Sequence, residues 1–155
     1  MMPSPKNIET SAWPGEIPLK SFYTAGTGGQ IFFHALKQRG KFVGTRCSSC
    51  NQVYLPARSF CERCFSELKE QVEVQPTGTI VSYTICYVGH NRTRLRRPIA
   101  LALVQLEGAT TFMLHRLIGV SEPGQVRIGS KVATVIKPKK KRVGSILDIE
   151  GFRIL

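Results

Sequence analysis

Four of the five cysteines stand in two Cys-x2-Cys pairs, Cys47–Cys50 and Cys61–Cys64, separated by ten residues. Each short turn lets two thiolates face one ion, and the loop between the pairs brings the second turn opposite the first. Four sulfurs complete a closed tetrahedral shell. A closed shell has no position for water or substrate, so the ion expected here is structural and staples a segment too short to build a core of its own. Zinc is the commoner ion in such a site, and iron fits the same four thiolates; the sequence leaves that choice open. Redox dithiol chemistry accounts for one such pair more readily than for two at this spacing. Paired cysteines are read as metal ligands before disulfides where thiols stay reduced, and the cytoplasm is the expected location.

The remaining sequence frames this ribbon. A chain of 155 residues with 42% hydrophobic content suits one domain, or two small ones sharing a core. No apolar run approaches the roughly 18–20 residues that cross a bilayer, so no membrane contact is expected. Pro3, Pro5, Pro14, Gly15 and Pro18 forbid a continuous helix over residues 1–18, which read as an arm without the apolar stretch of a secretory signal. Residues 19–29 read as a glycine-rich turn. Ile31, Phe32, Ala35 and Leu36 give residues 30–38 one apolar helical face that ends at Gly40. A short strand over 41–46 leads into Cys47, and 65–69 read as a turn or helical piece behind the ribbon. After Pro76–Thr77–Gly78, five strand-like runs follow at 79–88, 98–106, 110–118, 130–137 and 146–154. Five short strands with no long helix between them predict a small antiparallel barrel of the OB type. The expected architecture is mainly β: an N-terminal arm and helix for partner docking (1–40), a four-Cys zinc ribbon (41–75) and a five-stranded OB-fold (76–155).

The net charge of +12 draws polyanions such as nucleic acid or phosphate-bearing cofactors. Arg92, Arg94, Arg96 and Arg97 are expected between the first two barrel strands. Lys137, Lys139, Lys140, Lys141 and Arg142 are expected between the last two. In an OB-fold those two connections flank the usual ligand face. The residues therefore read either as a phosphate-binding rim, to which arginine brings bidentate geometry, or as two solvated loops. Tyr83 and Tyr87, expected on one face, and Phe112 offer rings on which bases stack, or else belong to the core.

Catalytic candidates are sparse. His34, His90 and His115 fall in no Ser–His–Asp order or HExxH pattern. Cys86, inside an apolar strand, reads as a small buried residue more readily than as a nucleophile. The chain is not expected to be an enzyme on its own.

The order of segments adds a family. GKFVGTRCSSC, YLPARSFCERC, TGTIVSYTICY, RPIALALVQLEG and IGSKV stand here in sequence. Gly40–Lys41, Tyr54, Pro56, Gly78–Thr79 and Ser82–Tyr83–Thr84 are the most specific points. Over residues 20–155 this resembles the DUF35 family, in which a rubredoxin-like zinc ribbon precedes an OB-fold. The resemblance implies a non-catalytic subunit of a thiolase-superfamily acyl-CoA enzyme. Assemblies of that kind include the archaeal thiolase/HMG-CoA synthase and benzoylsuccinyl-CoA thiolase. The partner supplies the catalytic residues, and coenzyme A or acyl-CoA sits at or near the interface. Here the arginine and lysine clusters would meet CoA phosphates. The chain departs from the family at Asn51, where glycine is usual, and in its unusually basic 137–142 loop. That loop keeps a second expectation open: a zinc-ribbon OB-fold that binds single-stranded nucleic acid.

Overall fold

The computed structural model describes residues 11–16 and 18–155. Much of the expected arm, residues 1–10 and Ile17, lies outside the described residues. Among the described residues no helix is long and apolar enough to cross a membrane.

Among the described residues the single α-helix is α1 (Gly26–Arg39). It starts inside the stretch read as a glycine-rich turn. The reason is close packing: a Cβ on Gly28 would stand 2.5 Å from the Ala57 carbonyl oxygen, so only glycine lets the first turn approach the ribbon. Phe32, Ala35 and Leu36 are buried and Ile31 is half-buried, as the helical spacing required. Gly40 ends the helix in the left-handed conformation (φ 67°), its N–H donating to the Ala35 and Leu36 carbonyls.

The ribbon is a three-stranded antiparallel sheet ordered β2-β1-β3, from β1 (Phe42–Arg46), β2 (Val53–Tyr54) and β3 (Glu70–Val74). Phe42 pairs with Val74, and Thr45 pairs with both Gln71 and Tyr54. Five further strands build the barrel: β4 (Thr77–Val88), β5 (Arg94–Leu106), β6 (Met113–Arg116), β7 (Lys131–Ile136) and β8 (Ile149–Ile154). Their order is β6-β5-β4-β7-β8, all antiparallel. A parallel bridge between Leu117 and Phe152, with Ile118 N–H donating to Phe152 O at 2.8 Å, closes the ring. Gly151 (φ 149°) permits that closure, because a Cβ there would lie 2.7 Å from Arg116 O.

Alternation explains the interior. Ala100, Ala102, Val104 and Leu106 of β5 point inward and are buried. They join Ile80, Val132 and Phe152 from the barrel and Phe32, Leu36, Phe42, Val53 and Leu55 from helix and ribbon in one hydrophobic core. The two sheets are also stitched by polar bonds. Thr110 Oγ1 accepts from Val53 N–H and donates to Val53 O, both at 2.9 Å. Thr111 Oγ1 does the same for Leu55, at 2.8 and 2.9 Å. These two threonines serve the ribbon instead of extending β6, which is why the run expected at 110–118 narrows to four residues.

Candidate metal centre and basic surfaces

The two cysteine turns are built alike. Cys47 directly follows β1, and Asn51 N–H donates to Cys47 O at 2.8 Å; in the second turn Phe65 N–H donates to Cys61 O at 2.9 Å. The residue after each pair takes a left-handed backbone, Asn51 at φ 58° and Phe65 at φ 59°. Asparagine tolerates that conformation best after glycine, so Asn51 keeps the turn. Thr45, fully buried on β1, anchors the connecting loop by donating to Arg58 O and accepting from Arg58 N–H, both at 2.9 Å.

The four sulfurs lie within 4.8 Å of one another. Tetrahedral Zn–S bonds set sulfurs roughly 3.8 Å apart, so the cluster fits one ion. Cys47 and Cys61 are buried, Cys50 is half-buried and Cys64 is exposed. Tyr54, buried beside them with Leu68, brings its hydroxyl to 3.2 Å from Cys61 Sγ. The Arg58 guanidinium carbon sits 5.1 Å from the centre of the same ring. The Ser66 hydroxyl lies 3.2 Å from Cys64 Sγ. These contacts sort the thiols. Hydrogen bonds from Ser66 bring Cys64 down to about 6. The Tyr54 hydroxyl holds Cys61 below its ordinary value. Hydrogen bonding to Cys64, with burial, pushes Cys50 up to about 12. Four soft donors at this spacing suit a structural ion with no open position.

The arginine cluster is not a loop. Arg94, Arg96 and Arg97 belong to β5, and only Arg92 (φ 61°) sits in the turn from β4. All four are exposed. In the second cluster Lys139–Lys141 form one exposed 3-10 turn, with Lys137 half-buried before it. Arg142 is half-buried: its Nε donates to Lys137 O at 2.6 Å, and its guanidinium lies against Gly40, at the C-terminus of α1. That end of a helix dipole favours a cation. Among the described residues the five ion pairs are Lys41–Glu73, Arg46–Glu70, Arg58–Glu62, Lys69–Glu67 and Lys131–Glu107. No member of either basic cluster takes part.

One residue that the sequence reading did not single out organises the second cluster. Asp148 is fully buried, and its carboxylate accepts from the N–H groups of Val143 (2.9 Å), Gly144 (2.7 Å) and Ser145 (3.3 Å). Burial would raise this carboxyl; the three N–H donors and Lys137 outweigh it and hold the group below the usual carboxylate range. The strand expected from residue 146 therefore starts at Ile149, after a 3-10 turn closed by Asp148.

Lys137 reaches the barrel wall. It lines a cleft of about 460 Å³ with Ile99, Leu101, Leu114, His115, Arg116 and Leu147. His115 is half-buried with its Nδ1 unpartnered; burial, then Arg116, push it below the ordinary histidine value. His34 and His90 are exposed, and Cys86 is half-buried opposite Ile99. Tyr83 packs against the core and donates to Pro123 O at 3.4 Å, whereas Tyr87 is exposed beside a β-bulge.

Comparison with known proteins agrees with this geometry. Residues 34–70 match the family profile described as ChsH2, rubredoxin-like zinc ribbon domain, and residues 71–137 match that of ChsH2, C-terminal OB-fold domain. A DUF35 domain-containing scaffold protein of Methanothermobacter thermautotrophicus is 26% identical over 76% of this chain and 88% of its own length. A probable enoyl-CoA hydratase alpha subunit of Thermomonospora curvata is 31% identical over 66% of this chain, but that stretch is only 31% of the longer protein. Among solved structures, a DUF35-family protein of unknown function from Sulfolobus solfataricus superposes with a TM-score of 0.62 at 28% identity, covering 83% of this chain and 84% of that one. A chain of the Ltp2-ChsH2(DUF35) aldolase does so with a TM-score of 0.58 at 26% identity, covering 81% and 93%.

Proposed function

This chain belongs to the DUF35 family, a ChsH2-type zinc ribbon joined to an OB-fold barrel, and from that premise we propose that it is a non-catalytic scaffold subunit of a thiolase-superfamily acyl-CoA enzyme. The observation that carries the reading is the segment ahead of α1. Trp13, Leu19, Phe22 and Tyr23 are 84%, 78%, 93% and 90% exposed. Four large apolar side chains exposed within eleven residues mark an interaction segment, and Trp and Tyr are among the residues that dominate protein interfaces once covered. Residues up to 40 then serve partner docking, the ribbon at 41–75 braces them, and the barrel from 76 onward faces the catalytic chain. The ion is zinc, which lends rigidity without redox chemistry. The exposed Arg92, Arg94, Arg96 and Arg97, with Lys139, Lys140 and Lys141, face the 3′-phosphate and pyrophosphate of coenzyme A at the rim of a shared cavity. Arg142 holds the lysine turn against α1. Catalytic cysteine and histidine belong to the partner, and the assembly works in the cytoplasm.

The test is purification of the tagged chain from its native host. A thiolase-superfamily protein in fixed ratio, active only when this chain is present, is the expected result. A partner fully active by itself refutes the proposal. A second reading, single-stranded nucleic-acid binding, draws on the unpaired cationic side chains of the barrel. It requires oligonucleotide binding at low salt that weakens steeply as salt rises.

A further inference from the structure

The outer face of β5 and β6 is apolar and uncovered. While Ala100, Ala102 and Val104 turn into the barrel, Ile99, Leu101 and Leu103 turn out. Leu114, opposite Leu103 on β6, is 62% exposed, and Leu147, from the turn before β8, is 67% exposed. The 460 Å³ cleft and a shallower depression of about 190 Å³ share Leu101 and Leu114, so the floor is continuous across the face. Its border is cationic. Arg116 stands opposite Leu101, braced by its Nε–H to Glu150 O, and Lys137 closes one side. Residues 76–155 hold 13 Lys and Arg against 4 acids, so the field around the face is positive.

In an OB-fold this is the usual ligand face, strands 2 and 3 between the first and last hairpin connections. A nucleic-acid strand needs flat, open rings there for base stacking; Tyr83, at the edge of the shallower depression, is half-buried with its hydroxyl donating to Pro123 O, and the exposed side chains of the floor, Ile99, Leu114 and Leu147, are branched aliphatics. A second copy of the chain would set one cationic border on another, which like-charge repulsion disfavours. We propose that this face is a docking surface for the catalytic partner, and that its occupant is a protein segment presenting Leu, Phe or Met side chains flanked by Asp or Glu. The inference rests on the subunit reading and adds where and by what chemistry the partner is held.

The experiment uses the full chain and the thiolase-superfamily subunit that co-purifies with it. Leu114→Asp places a charge on the floor at an exposed position, so folding is spared; Ile128→Asp, 67% exposed in the turn before β7, is the control. Metal content and cooperative melting should match wild type in both. Leu114→Asp is expected to weaken the complex at least tenfold, Ile128→Asp to leave it unchanged, and Arg116→Glu to weaken it most at low salt. A complex of unaltered affinity with Leu114→Asp overturns the face but leaves the subunit reading standing. A wild-type chain that takes up no such subunit overturns both. Displacement of the partner by oligothymidine that Leu114→Asp also fails to bind would assign the face to nucleic acid and overturn the proposal.

Discussion

Replacing Asp148 with alanine removes the acceptor around which the lysine loop is folded. The carboxylate holds three consecutive backbone N–H groups, Val143 to Ser145, from a fully buried position. Hydrogen bonds to an ionised acceptor contribute about 1.5–3 kcal/mol each, but three that share one carboxylate act as a unit and do not simply add. Gly144 and Ser145 are half-exposed, so water recovers part of the loss. The expected cost is about 3 kcal/mol, which for a chain of this length lowers Tm by roughly 6–12 °C. Amide exchange should accelerate at Val143–Ser145 before it does in β5. Folding lowers this carboxyl, so its contribution is complete above the unfolded value of ~3.9 and is lost as pH falls through the lower folded value. The gap between wild type and variant should therefore narrow steadily in acid. Thermal unfolding at neutral and acid pH, with exchange mass spectrometry, measures all three effects. A variant that melts within about 2 °C of wild type at pH 7, with unchanged exchange in the loop, would refute the assignment.

Three further outcomes follow from the ribbon. Elemental analysis should find one ion per chain, and Cys61→Ser should lose it together with protection of the buried Tyr54–Leu68 cluster, because metal binding and local folding are one event there. Tyr54→Phe keeps the ring and removes the hydroxyl at Cys61; release of the ion to a colorimetric chelator should quicken several-fold while the melting of the barrel stays put. Gly44→Ala drives a Cβ into the Tyr54 carbonyl across the β1–β2 pair and should cost about 1–3 kcal/mol, whereas Gly124→Ala, with nothing within 4 Å, should be silent in the same melt.

The sequence made some of this legible and hid the rest for physical reasons. Metal ligands are visible because their chemistry needs a fixed spacing of one residue type, and the two cysteine pairs have it. The barrel is visible because five short apolar and β-branched runs follow Gly78 with no long helix between them. By contrast β3, at the open edge of a small sheet, alternates only at Val72 and Val74, with Glu70, Gln71 and Glu73 around them, too short a pattern to announce a strand. Four arginines within six residues look like solvent-exposed loop, yet three of them ride on β5, since an outward strand position tolerates charge as well as a loop does. Asp148 was silent because its partners are backbone amides, which every residue offers. Thr110 and Thr111 read as strand because their β-branched form fits one, while their hydroxyls are engaged by another sheet.

Those two threonines bear on how such proteins can be recombined. An engineer who treats the ribbon as a cassette would cut near Pro76 and graft in the metal-binding half of a relative. The graft would arrive with the amides and carbonyls of its second strand facing a barrel turn shaped for Val53 and Leu55. A workable chimera has to carry residues 109–111 across with the cassette, although they lie more than thirty positions beyond the cut.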